Sequence, residues 1–143
     1  MPNPPFEILE HTADIGLRAF GDTLSELFAN AARGMMAIAF EGESGSQAIR
    51  PRQRRKITAQ GQDREELLVH FLSEVLYALD TEGWRFSEFR IGTIDPDRIE
   101  AEGWGECKER SEHSRVAVKA VTYHQVSVAR TDQGWEAVVY FDI

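Results

Sequence analysis

The chain is poor in the residues that form covalent cross-links and zinc sites. Its 143 residues include a single cysteine, Cys107, and four histidines. A lone cysteine excludes an internal disulfide and a multi-cysteine zinc site. No apolar run approaches the ~20 residues that span a bilayer, and residues 1–5 have neither the basic start nor the apolar core of a signal peptide. We therefore expect a cytoplasmic protein without a membrane span.

Basic residues are in the minority. Sixteen Lys and Arg residues face 24 Asp and Glu residues, which leaves a formal charge of −8. This balance argues against autonomous binding of nucleic acid, which normally needs a basic surface. It permits docking onto a basic partner protein, because complementary charges steer association.

One segment departs from the acidic character of the chain. Residues 50–56 contain five of the sixteen basic residues and precede the strand-like run 57–59. Such a cluster can contact nucleic acid or can form a solvated edge strand protected by its charges. The absence of interleaved aromatic residues favours the edge strand.

Length and composition predict one globular domain, 1–143. Apolar residues make up 42% of the chain and charged residues 28%, which is ordinary for a folded protein. A chain of this size buries roughly 68–70% of its unfolded surface, enough for an independent core. Neither disorder nor a multidomain organisation is expected.

Two helices are predicted from capping signals and apolar spacing. Thr23 followed by Glu26 forms a capping box, and Asp63 is a typical N-cap for a second helix that Gly83 ends. Apolar residues at helical spacing follow each cap: Leu24, Leu27, Phe28, Ala31, Ala32, Met35 and Met36, then Leu67, Leu68, Phe71, Leu72, Val75, Leu76 and Leu79. We interpret both stripes as core faces, including the two methionines.

The remaining segments have strand and turn character. Strands are predicted at 6–10, 15–20, 57–59, 84–94, 98–102, 116–121, 125–129 and 135–141, with a loop at 41–46 and turns at 95–97 and 131–134. Glycines flank Trp104 in the segment 103–106, which indicates unusual φ or close backbone approach. Without βαβα alternation, the order predicts an α+β fold of mainly antiparallel sheets packed with two amphipathic helices.

Two carboxylates at strand ends suggest a cation site. Asp14 precedes Ile15 and shares parity with the face opposite the apolar one, as does Asp142 near the other end of the sequence. Asp142 adjoins Ile143, whose carboxylate would crowd a second negative charge beside it. Oxygen donors suit Ca²⁺ or Mg²⁺, and flexible mixed coordination favours Ca²⁺. The alternative is a solvated acidic terminus.

Catalytic motifs are missing from the sequence. It contains no glycine-rich phosphate loop, GxSxG elbow or HExxH helix. The four histidines do not have paired ligand spacing, and His70 is interpreted as a boundary residue beside the second helical stripe. No catalytic residue is predicted, and the protein is not expected to be an enzyme.

Several segments together resemble a known family. The matching residues are Glu10 to Gly16, Ala31 to Met35, Gly105-Glu106 with His113 downstream, Val118 to His124 and Phe141 to Ile143. They run through nearly the whole chain in the same order as in the archease family, the small proteins that assist the GTP-dependent RNA ligase of tRNA splicing and RNA repair. The combination is specific, although each segment alone is short.

The resemblance implies a non-enzymatic partner of that ligase. Such a protein promotes ligase guanylylation and multiple turnover and can broaden nucleotide use. It also implies a divalent metal site, with calcium, formed by Asp14, Asp142 and a main-chain or terminal oxygen of Ile143. Lys119, Tyr123 and His124 fill a family motif, but the resemblance assigns them no role.

Two positions depart from the family pattern, and other functions stay open. Gln125 stands where a small residue, often glycine, is expected, and Trp104 precedes Gly105-Glu106. Neither departure touches the expected metal residues. A chaperone-like or general interaction domain would act without metal and independently of Asp14. A metal-dependent phosphoester hydrolase would form product on its own.

Overall fold

The computed structural model describes residues 3–10, 14–40, 50–107 and 116–143. These residues form seven strands and two α-helices. In chain order they are β1 (Phe6–Glu10), β2 (Asp14–Gly21), α1 (Leu24–Ala39), β3 (Gln53–Gln60), α2 (Arg64–Tyr77), a π-helical turn (Ala78–Glu82), β4 (Trp84–Asp95), β5 (Arg98–Cys107), β6 (Ala120–Thr131) and β7 (Gly134–Asp142).

The strands form two antiparallel sheets. The four-stranded sheet has the order β1-β2-β7-β6, and the three-stranded sheet has the order β3-β5-β4. Helix α1 contacts β2 of the first sheet and β4 of the second, whereas α2 contacts β3 and β6. Each helix therefore joins the two sheets around a common core, and the predicted α+β class with mainly antiparallel sheets is confirmed.

The predicted capping and core residues of both helices are confirmed. Thr23 Oγ1 accepts a hydrogen bond from the backbone N–H of Glu26 at 3.1 Å, and Asp63 Oδ1 accepts one from Glu66 at 2.8 Å. Met35 is fully buried and Met36 is 9% exposed, so the methionines belong to the core. Capping satisfies N–H groups that the first turn leaves without intrahelical partners.

The basic segment contributes to an edge strand, as predicted. Among the strands that the structure describes, β3 begins at Gln53, has β5 as its single neighbour and carries exposed cationic side chains. Arg54 forms an ion pair with Glu102 at 3.6 Å and lies over the Trp104 ring. Charged side chains on an edge strand oppose pairing with another chain.

Two strand predictions are wrong in their boundaries. Strand β5 continues through the glycine-flanked Trp104 as far as Cys107, because Gly103 and Gly105 let Phe86 and the Arg85 backbone approach closely. The two strands predicted at 116–121 and 125–129 are one strand, β6, which starts at Ala120 and contains an irregular segment. Polar and glycine residues within these stretches have the sequence character of strand ends, which is why the predicted boundaries differ from the observed ones.

The predicted loop at 41–46, together with His11 and His113, lies outside the described residues. Neither of the α-helices in the described ranges combines the length and the hydropathy that a membrane span requires.

Candidate functional site

The two predicted carboxylates are direct neighbours across two strands. Strand β2 begins at Asp14 and β7 ends at Asp142, and the antiparallel register makes these two residues Cα partners. Directly opposed residues in an antiparallel pair point to the same face, with Cβ atoms about 4.5–5.5 Å apart. The fold thus brings together two carboxylates that are distant in sequence.

Both aspartates lie on the outer face of the four-stranded sheet. Their strand neighbours on the opposite face belong to the core: Leu17 and Phe141 are fully buried. Asp14 is half-buried and Asp142 is exposed. The predicted alternation of the two faces is confirmed. It places two like charges side by side, and the repulsion between them is unfavourable unless other groups offset it.

Main-chain hydrogen bonds fix the position of Asp142. The backbone N–H of Lys119 donates to the main-chain oxygen of Asp142 at 2.8 Å, and the next residue of β6, Ala120, is the Cα partner of Asp142. Asp142 is therefore held between β2 on one side and β6 on the other. The following residue, Ile143, is 47% exposed.

The carboxylate oxygens of Asp14 and Asp142 are suitable ligands for a hard divalent cation. Two opposed carboxylates provide oxygen ligands of the kind that Ca²⁺ prefers, and Ca²⁺ tolerates main-chain and water oxygens in flexible geometry. The part of the chain that the structure describes contains no group of three or more His, Cys, Asp or Glu side chains able to hold a metal ion. A cation bound at Asp14 and Asp142 would therefore need additional oxygens.

Aromatic residues outside the predicted cation site extend the same face. Gly16 and Tyr140, the next outer-face pair along β2 and β7, are Cα partners. A Cβ atom on Gly16 would lie 2.7 Å from the Tyr140 ring, and the His124 ring meets Tyr140 edge-on with centroids 5.8 Å apart. The sequence signal was a glycine inside a strand, which often marks close approach of another group.

The motif residue Tyr123 contacts α2 on the other side of β6. Its hydroxyl lies 2.7 Å from His70 Nε2, and His70 Nδ1 lies 2.6 Å from the main-chain oxygen of Gln60. The interpretation of His70 as a boundary residue is confirmed, since the residue is half-buried. Its imidazole joins α2 to β6 and to the end of β3.

The only cysteine belongs to a different polar cluster. Arg55 binds Glu82 through two hydrogen bonds of 2.6 and 3.1 Å, and Cys107 Sγ donates to the main-chain oxygen of Glu82 at 3.2 Å. The hydrogen bond from Arg55 lowers the pKa of Glu82 and raises that of Arg55. Burial, with the nearby Glu82 charge, raises the pKa of Cys107, which disfavours the reactive thiolate.

Comparisons with known proteins agree with this architecture. The model of the archease protein family (MTH1598/TM1083) matches residues 6–143. The protein archease of Saccharolobus islandicus (strain M.14.25 / Kamchatka #1) is 41% identical over 141 residues, covering 96% of this chain and 98% of the relative. The protein archease of Methanosarcina barkeri is 37% identical over 145 residues, covering 96% and 95%.

Two solved structures have the same fold. The solution structure of Methanobacterium thermoautotrophicum protein 1598 has a TM-score of 0.71 and 30% identity, covering 97% of this chain and 99% of that one. The crystal structure of an archease from Thermotoga maritima, described as a possible chaperone, has a TM-score of 0.59, 19% identity and coverage of 100% and 98%. With the family model and curated relatives matching almost the whole length, the chain belongs to the archease family.

Proposed function

We propose that this chain activates the GTP-dependent RNA ligase of tRNA splicing and RNA repair and catalyses no reaction itself. The observation that carries the proposal is the cross-strand pair of Asp14 and Asp142 on an outer sheet face. Membership of the archease family and the charge of −8 support it. An acidic surface of this kind suits transient docking on a basic, metal-dependent enzyme.

A divalent cation, Ca²⁺ by its ligand preference, would be held by Asp14, Asp142 and a main-chain or terminal oxygen of Ile143. When bound, it would supply positive charge between the two opposed carboxylates. The chain's own contribution is the rigid placement of both carboxylates: β2 and β7 fix their spacing, and the Lys119 N–H fixes the backbone at Asp142. This preformed acidic edge is what the ligase would meet.

In this proposal the chain works in the cytoplasm and binds the ligase only transiently. Docking promotes guanylylation of the ligase, supports multiple turnover and can broaden the nucleotides that the ligase accepts. The RNA is handled by the ligase, because the net charge of this chain opposes phosphate binding.

A single-turnover RNA ligation assay tests the proposal. Purified ligase, GTP and metal are combined with RNA ends, with and without this chain, and ligase guanylylation is followed in parallel. We expect stimulation by the wild type and its loss in Asp14→Ala and in Asp142→Ala. Asp132→Ala is the matched control, because Asp132 is an exposed aspartate in the turn at the other end of the same β6–β7 hairpin.

The same experiment separates the alternative functions. Wild-type stimulation by a well-folded variant lacking both aspartates would refute the role of the acidic pair. Product formed by the chain without ligase would indicate a phosphoester hydrolase. Metal-independent suppression of aggregation of unrelated proteins would indicate a chaperone.

The described surface argues against the chaperone function. Its exposed large hydrophobic residues lie singly on different segments: Ile8, Tyr77, Tyr123 and Ile143. Contiguous apolar patches are the usual mark of such surfaces.

A further inference from the structure

Strand β6 is interrupted where it passes α2. From Thr122 to Ser127 it advances five residues while its partner β7 moves only from Tyr140 to Val138. Residues 123–126, here named the β6 bulge, therefore project from the ladder. Gln125 within it has φ +52°, a conformation that few residues other than glycine adopt. Bulges of this kind re-aim side chains and occur frequently beside functional sites.

The β6 bulge presents an aromatic ring that is both exposed and fixed. Tyr123 is 56% exposed, yet its hydroxyl lies within hydrogen-bond distance of His70 Nε2. The main-chain oxygen of Gln60 can only accept, so His70 Nδ1 donates to it. The other ring nitrogen, Nε2, shares a hydrogen bond with the Tyr123 hydroxyl. A chain of two hydrogen bonds thus orients the phenol ring from behind.

An ordered, exposed tyrosine is well suited to anchor a protein interface. Tyrosine is enriched among the few residues that dominate binding free energy. A ring that is already held in place loses little conformational entropy when a partner covers it. Tyr77, the last residue of α2, has a similar exposure of 52%, so exposure alone does not distinguish the two tyrosines. What distinguishes Tyr123 is its place on the bulge and its bond to His70.

The anchor lies at the same end of the sheet as the acidic pair. Asp142 is the Cα partner of Ala120, and Tyr123 follows Ala120 by three residues, about 10 Å along an extended strand. The next residue, His124, packs edge-on against Tyr140. The chain carries a net charge of −8, so an exposed aromatic ring on this acidic protein complements a partner surface with an apolar pocket bordered by cationic side chains.

We infer that the β6 bulge is the docking anchor of this chain, with Tyr123 inserted into an apolar pocket on a cationic surface of its protein partner. The inference rests on the proposed function, in which that partner is the RNA ligase. His70 is a positioning residue that holds the ring. Stacking of Tyr123 on an RNA base is the competing possibility, and the net charge of −8 opposes it because it repels phosphates.

The test measures docking separately from activation. Wild type and variants are titrated against the ligase, with the half-saturating concentration and the plateau of stimulation recorded, and the dissociation constant is measured directly with a fluorescently labelled chain. Tyr123→Ala should raise the half-saturating concentration and the dissociation constant by about 10-fold or more, which is the range of an interface hot spot. The plateau of stimulation should not change. Tyr123→Phe and His70→Ala should each raise both quantities by about 2–5-fold, because the ring remains but loses its orientation.

The outcomes distinguish this inference from the proposed function. Tyr77→Ala is the matched control and should bind as the wild type does, and thermal unfolding checks that every variant is folded. A wild-type dissociation constant for Tyr123→Ala, or an equal loss of affinity in Tyr77→Ala, would overturn the inference about Tyr123 and leave the proposed function intact. Tyr123-dependent binding of single-stranded RNA by the chain without ligase would also overturn it. Absence of wild-type binding to the ligase would overturn both proposals.

Discussion

The Tyr140 ring lies over Gly16, so close that a Cβ atom on this glycine would meet Tyr140 Cε1 at 2.7 Å and Leu9 Cβ at 3.0 Å. The close packing connects the start of β2, which carries Asp14, to the aromatic part of the outer face. It explains why the strand that carries Asp14 has a glycine two residues later, where glycine weakens a strand and needs a reason.

Gly16→Ala is expected to destabilise the protein by about 1–3 kcal/mol, the usual cost of inserting a methyl group into a packed site. Urea unfolding measures the change. Gly92→Ala on β4 is the matched control, because its Cβ would meet only the Glu100 main-chain oxygen at an ordinary 3.4 Å. If Gly16→Ala costs as much in a Tyr140→Ala background as in the wild type, the ring is not the cause.

The left-handed backbone of Gln125 gives a second prediction. A left-handed φ destabilises the folded state by about 1–2 kcal/mol when the residue has a Cβ atom. Glycine avoids this cost, but ordering its more flexible backbone on folding offsets about 0.5–1 kcal/mol of the gain. Gln125→Gly should therefore raise the free energy of unfolding by about 0.5 kcal/mol, and Gln125→Val should lower it, because branched side chains tolerate this φ poorly. Denaturant unfolding of the pair gives the answer, and equal effects of the two substitutions would contradict the explanation.

The sequence predicts local features of this fold, such as the helices, better than it predicts contacts between distant segments. Both helices were predicted correctly because capping residues and apolar spacing act over a few residues; Thr23 and Asp63 make the expected bonds. The outward direction of Asp14 and Asp142 followed from strand alternation. Their pairing across β2 and β7 depends on the register of two strands that are distant in sequence. Local patterns do not encode this register, so the sequence predicts a shared site only if the two strands are neighbours.

The errors have the same origin. The sequence predicts two strands in place of β6 because the β6 bulge interrupts the alternation, although pairing with β7 resumes at Ser127. It assigns Tyr123 no role because the contact of this residue, His70, lies 53 residues away on α2. The expected small residue at Gln125, by contrast, corresponds to a measurable feature, a positive φ that favours glycine.

The Arg55–Glu82 pair predicts a pH dependence of stability. The hydrogen bond from Arg55 holds the Glu82 pKa below its ordinary value of 4.5. A lowered folded-state pKa means that the stabilisation is complete above the unfolded pKa and is lost as the pH falls through the folded one. Glu82→Gln should thus cost roughly 0.5–1 kcal/mol at pH 7, as for a partly exposed pair, and progressively less below about pH 4.5.

Unfolding by urea between pH 3 and 7 tests this difference. Glu88→Gln is a suitable control, because Glu88 is an exposed glutamate on β4 and its replacement should leave the pH profile close to that of the wild type. A Glu82→Gln deficit that stays constant down to pH 3 would show that the carboxylate charge is not its source.

The opposed aspartates predict that calcium stabilises the folded protein. This effect can be measured without the ligase, so it tests the cation site independently of activation. Without a cation, like charges directly opposite each other destabilise the sheet by a few tenths of a kcal/mol, so Asp142→Asn should raise the melting temperature by about 1–3 °C in chelator. Calcium should raise the wild-type melting temperature with increasing concentration, because a ligand that binds only the folded state stabilises it. Asp142→Asn should lose most of that rise, whereas Asp132→Asn should keep it. Calcium responses that are equal in all three proteins would place the cation elsewhere, even if the aspartates prove essential for stimulating the ligase.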